Sequence, residues 1–184
     1  MELSNYPIKN GNNIHKYQAQ AIPSYAQYLE TFIGNGATPV IEIKSKTPRN
    51  ADTAIDETAA EELLKQLQQA NLRRNVIFQS FNIVSLQRVM DAAQKEAYAD
   101  LDLTFLFLTS SEAEIDNNDL EQYRAQGISG ICINRNLASS AAIQNAKAYG
   151  LKVGVWTVDD TTLAYRLAEI DHVDYVISNK KVFK

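Results

Sequence analysis

Six short β-branched or aromatic runs alternate with helical segments along this chain. That alternation limits the fold more than any other feature. The runs are Val40–Lys44, Asn75–Phe81, Leu103–Leu108, Ile128–Asn134, Leu151–Val158 and Val173–Ser178. Between them, apolar residues recur at helical spacing over about Thr53–Ala70, Ile83–Ala97, Asn118–Gln126, Ser139–Tyr149 and Thr161–Ile170. A further helix opens at Ile22-Pro23-Ser24, where proline suits a first turn, and stops at Gly34-Asn35-Gly36. Strand and helix in strict alternation predict parallel strands joined by right-handed crossovers. No linker splits the chain. It reads as an Asn/Gln-rich loop segment over residues 1–21 followed by one α/β domain over residues 22–184.

The run Val40-Ile41-Glu42-Ile43-Lys44 sharpens the prediction. Side chains alternate along a strand, so Ile41 and Ile43 share one face while Glu42 and Lys44 share the other. In a parallel barrel one face meets helices and the other points inward, polar near the C-terminal mouth. Six strands would suit a doubly wound sheet, whereas a complete TIM barrel has eight. No Gly-rich phosphate loop follows any strand. Several strands end in polar types: Lys44, Ser80, Thr109, Asn134, Thr157 and Ser178. The expected fold is therefore TIM-barrel type but incomplete, with six of eight βα units and with Glu42 and Lys44 at the mouth. A purely structural ion pair is the competing role for these two residues.

Composition excludes several functions. The net charge is −4 with acids and bases interspersed, which leaves no nucleic-acid or polybasic membrane footprint. Cys132, the only cysteine, lies in the apolar run Ile131-Cys132-Ile133 and reads as a buried, inert thiol. No apolar run approaches the roughly 20 residues that span a bilayer. Met1–Asn13 is polar and carries no secretory signal, so a cytoplasmic location is expected. His15 and His172 read as solvated, and Arg135 as a surface cation within possible reach of a phosphate.

Four stretches, in order and rough spacing, carry a family resemblance. They are Ile22-Pro23-Ser24-Tyr25, the Ile-Glu-Ile-Lys strand, Phe78-Gln79-Ser80-Phe81-Asn82 and Val155-Trp156-Thr157-Val158-Asp159. Together with the closing Val173–Asn179 they resemble the glycerophosphodiester phosphodiesterase family over about residues 20–179. The resemblance implies a metal-dependent hydrolase of lipid metabolism. It would cleave glycerophosphodiesters to an alcohol and glycerol 3-phosphate, with Ca²⁺ or Mg²⁺ in the full family site. It implies Glu42 as a metal ligand, Lys44 as a catalytic cation that offsets phosphate charge, and Trp156 as an aromatic wall for substrate. Simple core filling is the alternative for Trp156. The family's pattern also opens with a His-Arg-Gly strand end, a Glu-x-Asp pair and a second histidine, and none of these precedes Ile22. The resemblance thus implies the C-terminal three-quarters of the barrel, without its first two strands. Such a chain should bind a cation weakly or not at all and catalyse poorly alone. Open barrel edges should favour homo-oligomers, or else packing of residues 1–21 across the gap. The alternatives are a non-catalytic ligand-binding or oligomerising relative, or an unrelated open sheet with Glu42 facing solvent.

Overall fold

The computed structural model describes residues 22–45 and 51–183 and, as backbone alone, two short strands ahead of them. These strands, β1 (Ile8–Asn10) and β2 (Asn13–His15), pair antiparallel. A hairpin therefore stands inside the stretch whose composition reads as loop. Three-residue strands are too short to display a side-chain period. The His15 side chain and the loop over 46–50 lie outside the described residues.

The main sheet holds β3 (Val40–Glu42), β4 (Val76–Ser80), β5 (Leu103–Thr109), β6 (Gly130–Asn134), β7 (Lys152–Trp156) and β8 (Tyr175–Val176). All neighbours are parallel, and each strand lies beside the next one in the chain. A doubly wound sheet reverses its strand order at a switch point. This one never does, so its twist accumulates in one sense and it curls into a half-barrel.

The helices begin at side-chain caps. Ser24 caps α1 (Tyr25–Glu30) in a reciprocal box with Gln27, so Pro23 precedes the cap instead of occupying the first turn. The α2 helix (Glu57–Gln69) starts later than its apolar spacing predicts. The Asp56 carboxylate accepts from the Ala59 N–H at 2.7 Å, and Ala51–Thr53 form a separate 3₁₀ turn. Asn82 caps α3 (Ile83–Ala93), which stops short of Ala97 because Glu96–Tyr98 form another 3₁₀ turn. Asp116 and Ser139 cap α4 (Asn117–Ala125) and α5 (Ser140–Ala148). Asp160 caps α6 (Thr161–Tyr165), which widens into a π turn through Ile170.

Strand alternation divides the apolar residues into two cores. The outer one packs Ile41, Ile43, Phe78, Phe107, Val153 and Val155 against buried helix residues such as Leu64, Leu86 and Leu120. Each such side chain stabilises the fold by roughly 1.5–3 kcal/mol through burial. The inner one is small: Ile77, Leu106, Leu108 and Cys132, with Phe81, Trp156, Tyr175 and Ile177 partly buried around them. Burial pushes the Cys132 thiol up to about 12, which keeps it protonated and inert. At the sheet's ends, β3 and β8 are each paired on one side only among the described residues. Part of the β3 edge is covered by α1, whose Tyr28 hydroxyl donates to the Val40 carbonyl at 3.2 Å.

Two glycines let β6 and β7 close up on the inner face. A Cβ at Gly130 would lie 2.3 Å from the Lys152 carbonyl oxygen. A Cβ at Gly154 would lie 2.3 Å from the Cys132 Sγ. Overpacking a core typically costs about 1–3 kcal/mol. Gly154→Ala should destabilise within that range in urea titrations and should be partly rescued by Cys132→Ala, which removes the obstructing sulfur. Gly130→Ala should cost more and resist rescue, because its obstacle is backbone.

Candidate functional site

The cross-strand register builds the site. Glu42 of β3 lies opposite Gln79 of β4, and Gln79 lies opposite Leu106 of β5. One step toward the mouth come Lys44, Phe81 and Leu108. On the far side Asn134 of β6 lies opposite Trp156 of β7. A pocket of about 230 Å³ opens on this inner face at the C-terminal ends of the strands. Glu42, Lys44 and Gln79 supply its polar wall. Phe81, Leu108 and Trp156 supply its apolar wall, with Thr157 and Ile177 closing the β7–β8 side.

Glu42, Lys44 and Trp156 are thus brought together. Glu42 is partly buried with its side chain 27% exposed, while that of Lys44 is 81% exposed, and Lys44 Nζ lies 2.7 Å from Glu42 Oε1. A pair so open to water contributes at most about 1 kcal/mol. It therefore does little for stability. Trp156 is partly exposed, packs against the inner core, and its ring meets Phe81 edge to face at 5.5 Å. Its Nε1–H donates to the Cys132 carbonyl at 2.9 Å, which fixes the indole against the wall. Arg135 is exposed and donates to the Thr157 carbonyl at 3.3 Å, just outside the pocket. His172 is exposed on the turn before β8, at the opposite end of the sheet. Among the described residues no group of three or more His, Cys, Asp or Glu side chains is arranged to hold a metal ion. None of their helices is long and apolar enough to cross a membrane.

Two hydrogen-bond clusters hold the rim. Behind β3 and β4 the buried Ser80 hydroxyl donates to the Ile43 carbonyl at 2.7 Å and accepts from the Asn82 N–H at 3.0 Å. Asn82 also reaches the Ser45 hydroxyl at 3.2 Å. Between β7 and β8 the Asp159 carboxylate accepts from the Asn179 N–H at 2.8 Å and the Ser178 hydroxyl at 2.9 Å. Sequence reasoning quoted Ser80, Asn82 and Asp159 within motifs but gave them no role. Gln79 was likewise quoted within a motif and given no role, although the shared parity with Glu42 across paired strands puts it on the same face.

The Asn179 amide, and after it the Ser178 hydroxyl, hold the Asp159 carboxyl below the usual range. A carboxyl lowered on folding stabilises the fold above its unfolded value, about 3.9 for Asp, and that contribution is lost as pH falls through the lower folded value. Asp159→Asn should therefore melt below the parent at pH 7. The gap between the two should close as thermal scans descend below about pH 4. A gap that stays constant with pH would mean the carboxylate is not the stabilising species.

The model of the glycerophosphoryl diester phosphodiesterase family matches residues 1–180, a span that begins ahead of Ile22. No functionally curated protein matches the chain. Among solved structures, an Oleispira antarctica phosphodiesterase in complex with the product sn-glycerol-3-phosphate is 21% identical with a TM-score of 0.62. The match covers 85% of this chain and 57% of that one. A Silicibacter pomeroyi protein assigned to the glycerophosphoryl diester phosphodiesterases is 19% identical, covering 90% of this chain and 53% of that one, at a TM-score of 0.62. An Agrobacterium tumefaciens protein with the same assignment is 16% identical, covering 91% and 61%, at a TM-score of 0.67. These likenesses are of fold. The chain spans between 53% and 61% of the length of these three structures.

Proposed function

The chain belongs to the glycerophosphoryl diester phosphodiesterase family, and on that premise we propose that its pocket holds the phosphate and glycerol part of a glycerophosphodiester. The supporting observation is the convergence of Glu42, Lys44 and Trp156 on one pocket at the C-terminal ends of parallel strands. An ammonium has three N–H donors. Lys44 spends one on Glu42 and, being exposed, can turn the other two to a phosphate. Trp156 and Phe81 present an apolar wall to the carbon chain.

Hydrolysis needs water to attack phosphorus while the alkoxide leaves with a proton, and each proton transfer needs a positioned acid or base. Among the described residues, the one histidine with a placed side chain is His172, at the far end of the sheet. Nor do these residues suit a resident divalent cation. Such a cation takes about six oxygen ligands, whereas among the described residues Glu42 is the only carboxylate that lines the pocket, and it is already paired with Lys44. The proposed chemistry of these side chains is therefore phosphate and substrate binding, with hydrolysis by this chain alone very slow. Each missing acid or base typically costs about 10²–10⁴-fold.

The test is turnover of glycerophosphocholine by the purified chain with added Ca²⁺ or Mg²⁺. The expected result is at most trace activity. Rapid metal-dependent turnover that disappears in Glu42→Ala would refute the binding-only role. Binding of glycerol 3-phosphate gives a second check. In EDTA, Lys44→Ala should weaken it. Glu42→Gln should strengthen it a few-fold, since it removes a negative charge facing the phosphate.

The half-open sheet favours a second property, self-association. On β3 and β8 one row of backbone groups faces away from the sheet, and Val40 at that edge is 42% exposed. Unpaired edges template pairing with another chain. Sedimentation should reveal concentration-dependent oligomers, and a monomer at all concentrations would remove this property.

A further inference from the structure

Lys44 stands past the end of the β3 ladder. The strand closes at Glu42, and a further backbone bond, from the Ile43 N–H to the Gln79 carbonyl at 2.8 Å, continues it toward the mouth. Beyond that point side chains hold the chain. The Ser80 hydroxyl donates to the Ile43 carbonyl at 2.7 Å, and that carbonyl belongs to the peptide leading into Lys44. On the other flank the Ser45 hydroxyl accepts from the Asn82 amide at 3.2 Å and donates to the Thr53 carbonyl at 2.8 Å. The backbone is therefore tied on both sides of Lys44, to the end of β4 and to the cap of α3.

Ser80 shares strand parity with Phe78, so it stands on the helix side of the sheet, in a layer that Phe78, Ile43 and Leu86 make apolar. Ser80, Asn82 and Ser85 are fully buried. Polar groups taken out of water are tolerated when they are hydrogen-bonded, and a satisfied network fixes one arrangement of the elements it joins. This one runs unbroken. The Asn82 N–H donates to the Ser80 hydroxyl at 3.0 Å, the Asn82 carboxamide oxygen accepts from the Ser85 N–H at 3.0 Å, and the Ser85 hydroxyl accepts from the Ile55 N–H at 3.3 Å.

Resting on the phosphate site proposed above, we propose that Ser80, Asn82 and Ser45 are positioning residues for Lys44: they hold the end of β3 so that its ammonium stands at the pocket. A lysine ammonium rides on a flexible four-carbon stem. Holding the backbone on both flanks removes motion at the base of that stem, and the contact with Glu42 narrows what is left at its tip.

Trp156 is the only tryptophan and lines the pocket, so its fluorescence reports occupancy. The experiment titrates the full chain in EDTA with sn-glycerol 3-phosphate and closes a double-mutant cycle. Ser45→Ala and Ser80→Ala should each weaken binding about fivefold. Ser45→Thr, which keeps the hydroxyl, should bind like the parent. In a Lys44→Ala background Ser45→Ala should change the affinity no further, although it still lowers the melting temperature. A network that merely stabilises the fold would give the same loss with or without Lys44, and that result overturns the proposal. Parent-like binding by Ser45→Ala also overturns it. Ser45 is only partly buried, so its cycle decides the matter even if Ser80→Ala fails to fold. If the parent binds and Lys44→Ala binds equally well, the pocket keeps its ligand while the positioning of Lys44 falls. If the parent does not bind, the phosphate site and its positioning residues fall together.

Discussion

The molecule depends on the two-residue period of side chains along its parallel strands. That period sends Ile41 and Ile43 into the core beneath the helices and, from the same short strand, turns Glu42 and Lys44 inward. Repeated across six strands in register, it generates two chemically different faces from one backbone. The outer face is almost wholly apolar and anchors the helices. The inner face is apolar low down and polar at the rim. A one-residue slip of β3 would exchange the two sets, burying a carboxylate under α-helices and leaving the pocket with isoleucines. Apolar packing on one side of the sheet thus fixes the chemistry on the other.

How much of this was legible follows from where the period could be seen. Strands long enough to display it, such as Leu103–Thr109 and Val76–Ser80, stand close to their predicted bounds. The last strand does not. Val173–Ser178 narrows to Tyr175–Val176: its flanks still bond to β7, Asp174 N–H to the Val153 carbonyl and Ile177 N–H to the Val155 carbonyl, but beyond them Ser178 turns its hydroxyl to the Asp159 carboxylate. Helix starts moved for a similar reason. Apolar spacing marks the buried stripe of α2, but the Asp56 carboxylate chooses its first residue. The strands Ile8–Asn10 and Asn13–His15 left almost no trace in the sequence pattern, since three residues are too few to display a period.

The site divides the same way. Glu42, Lys44 and Trp156 were named from residue type and family resemblance, and they do share one pocket. Gln79 and Asp159 stood within quoted motifs but were given no role, because an amide and a turn aspartate are common in any α/β protein. Their positions acquire meaning only once strand pairing places Gln79 level with Glu42 and once the loops after β7 and β8 meet. Register, not residue type, carried that information, and register is a property of two strands at once.

The pocket is lined from both outermost strands of the sheet, by Glu42 and Lys44 beside one edge and Ile177 beside the other. Neighbouring strands within the sheet are laced by ladders and by the Ser80 and Asp159 clusters, while among the described residues no ladder joins β3 to β8. A molecule seated in the pocket as proposed above would touch residues beside both outer strands and so act as a strut, and its binding would then be coupled to the curvature of the sheet.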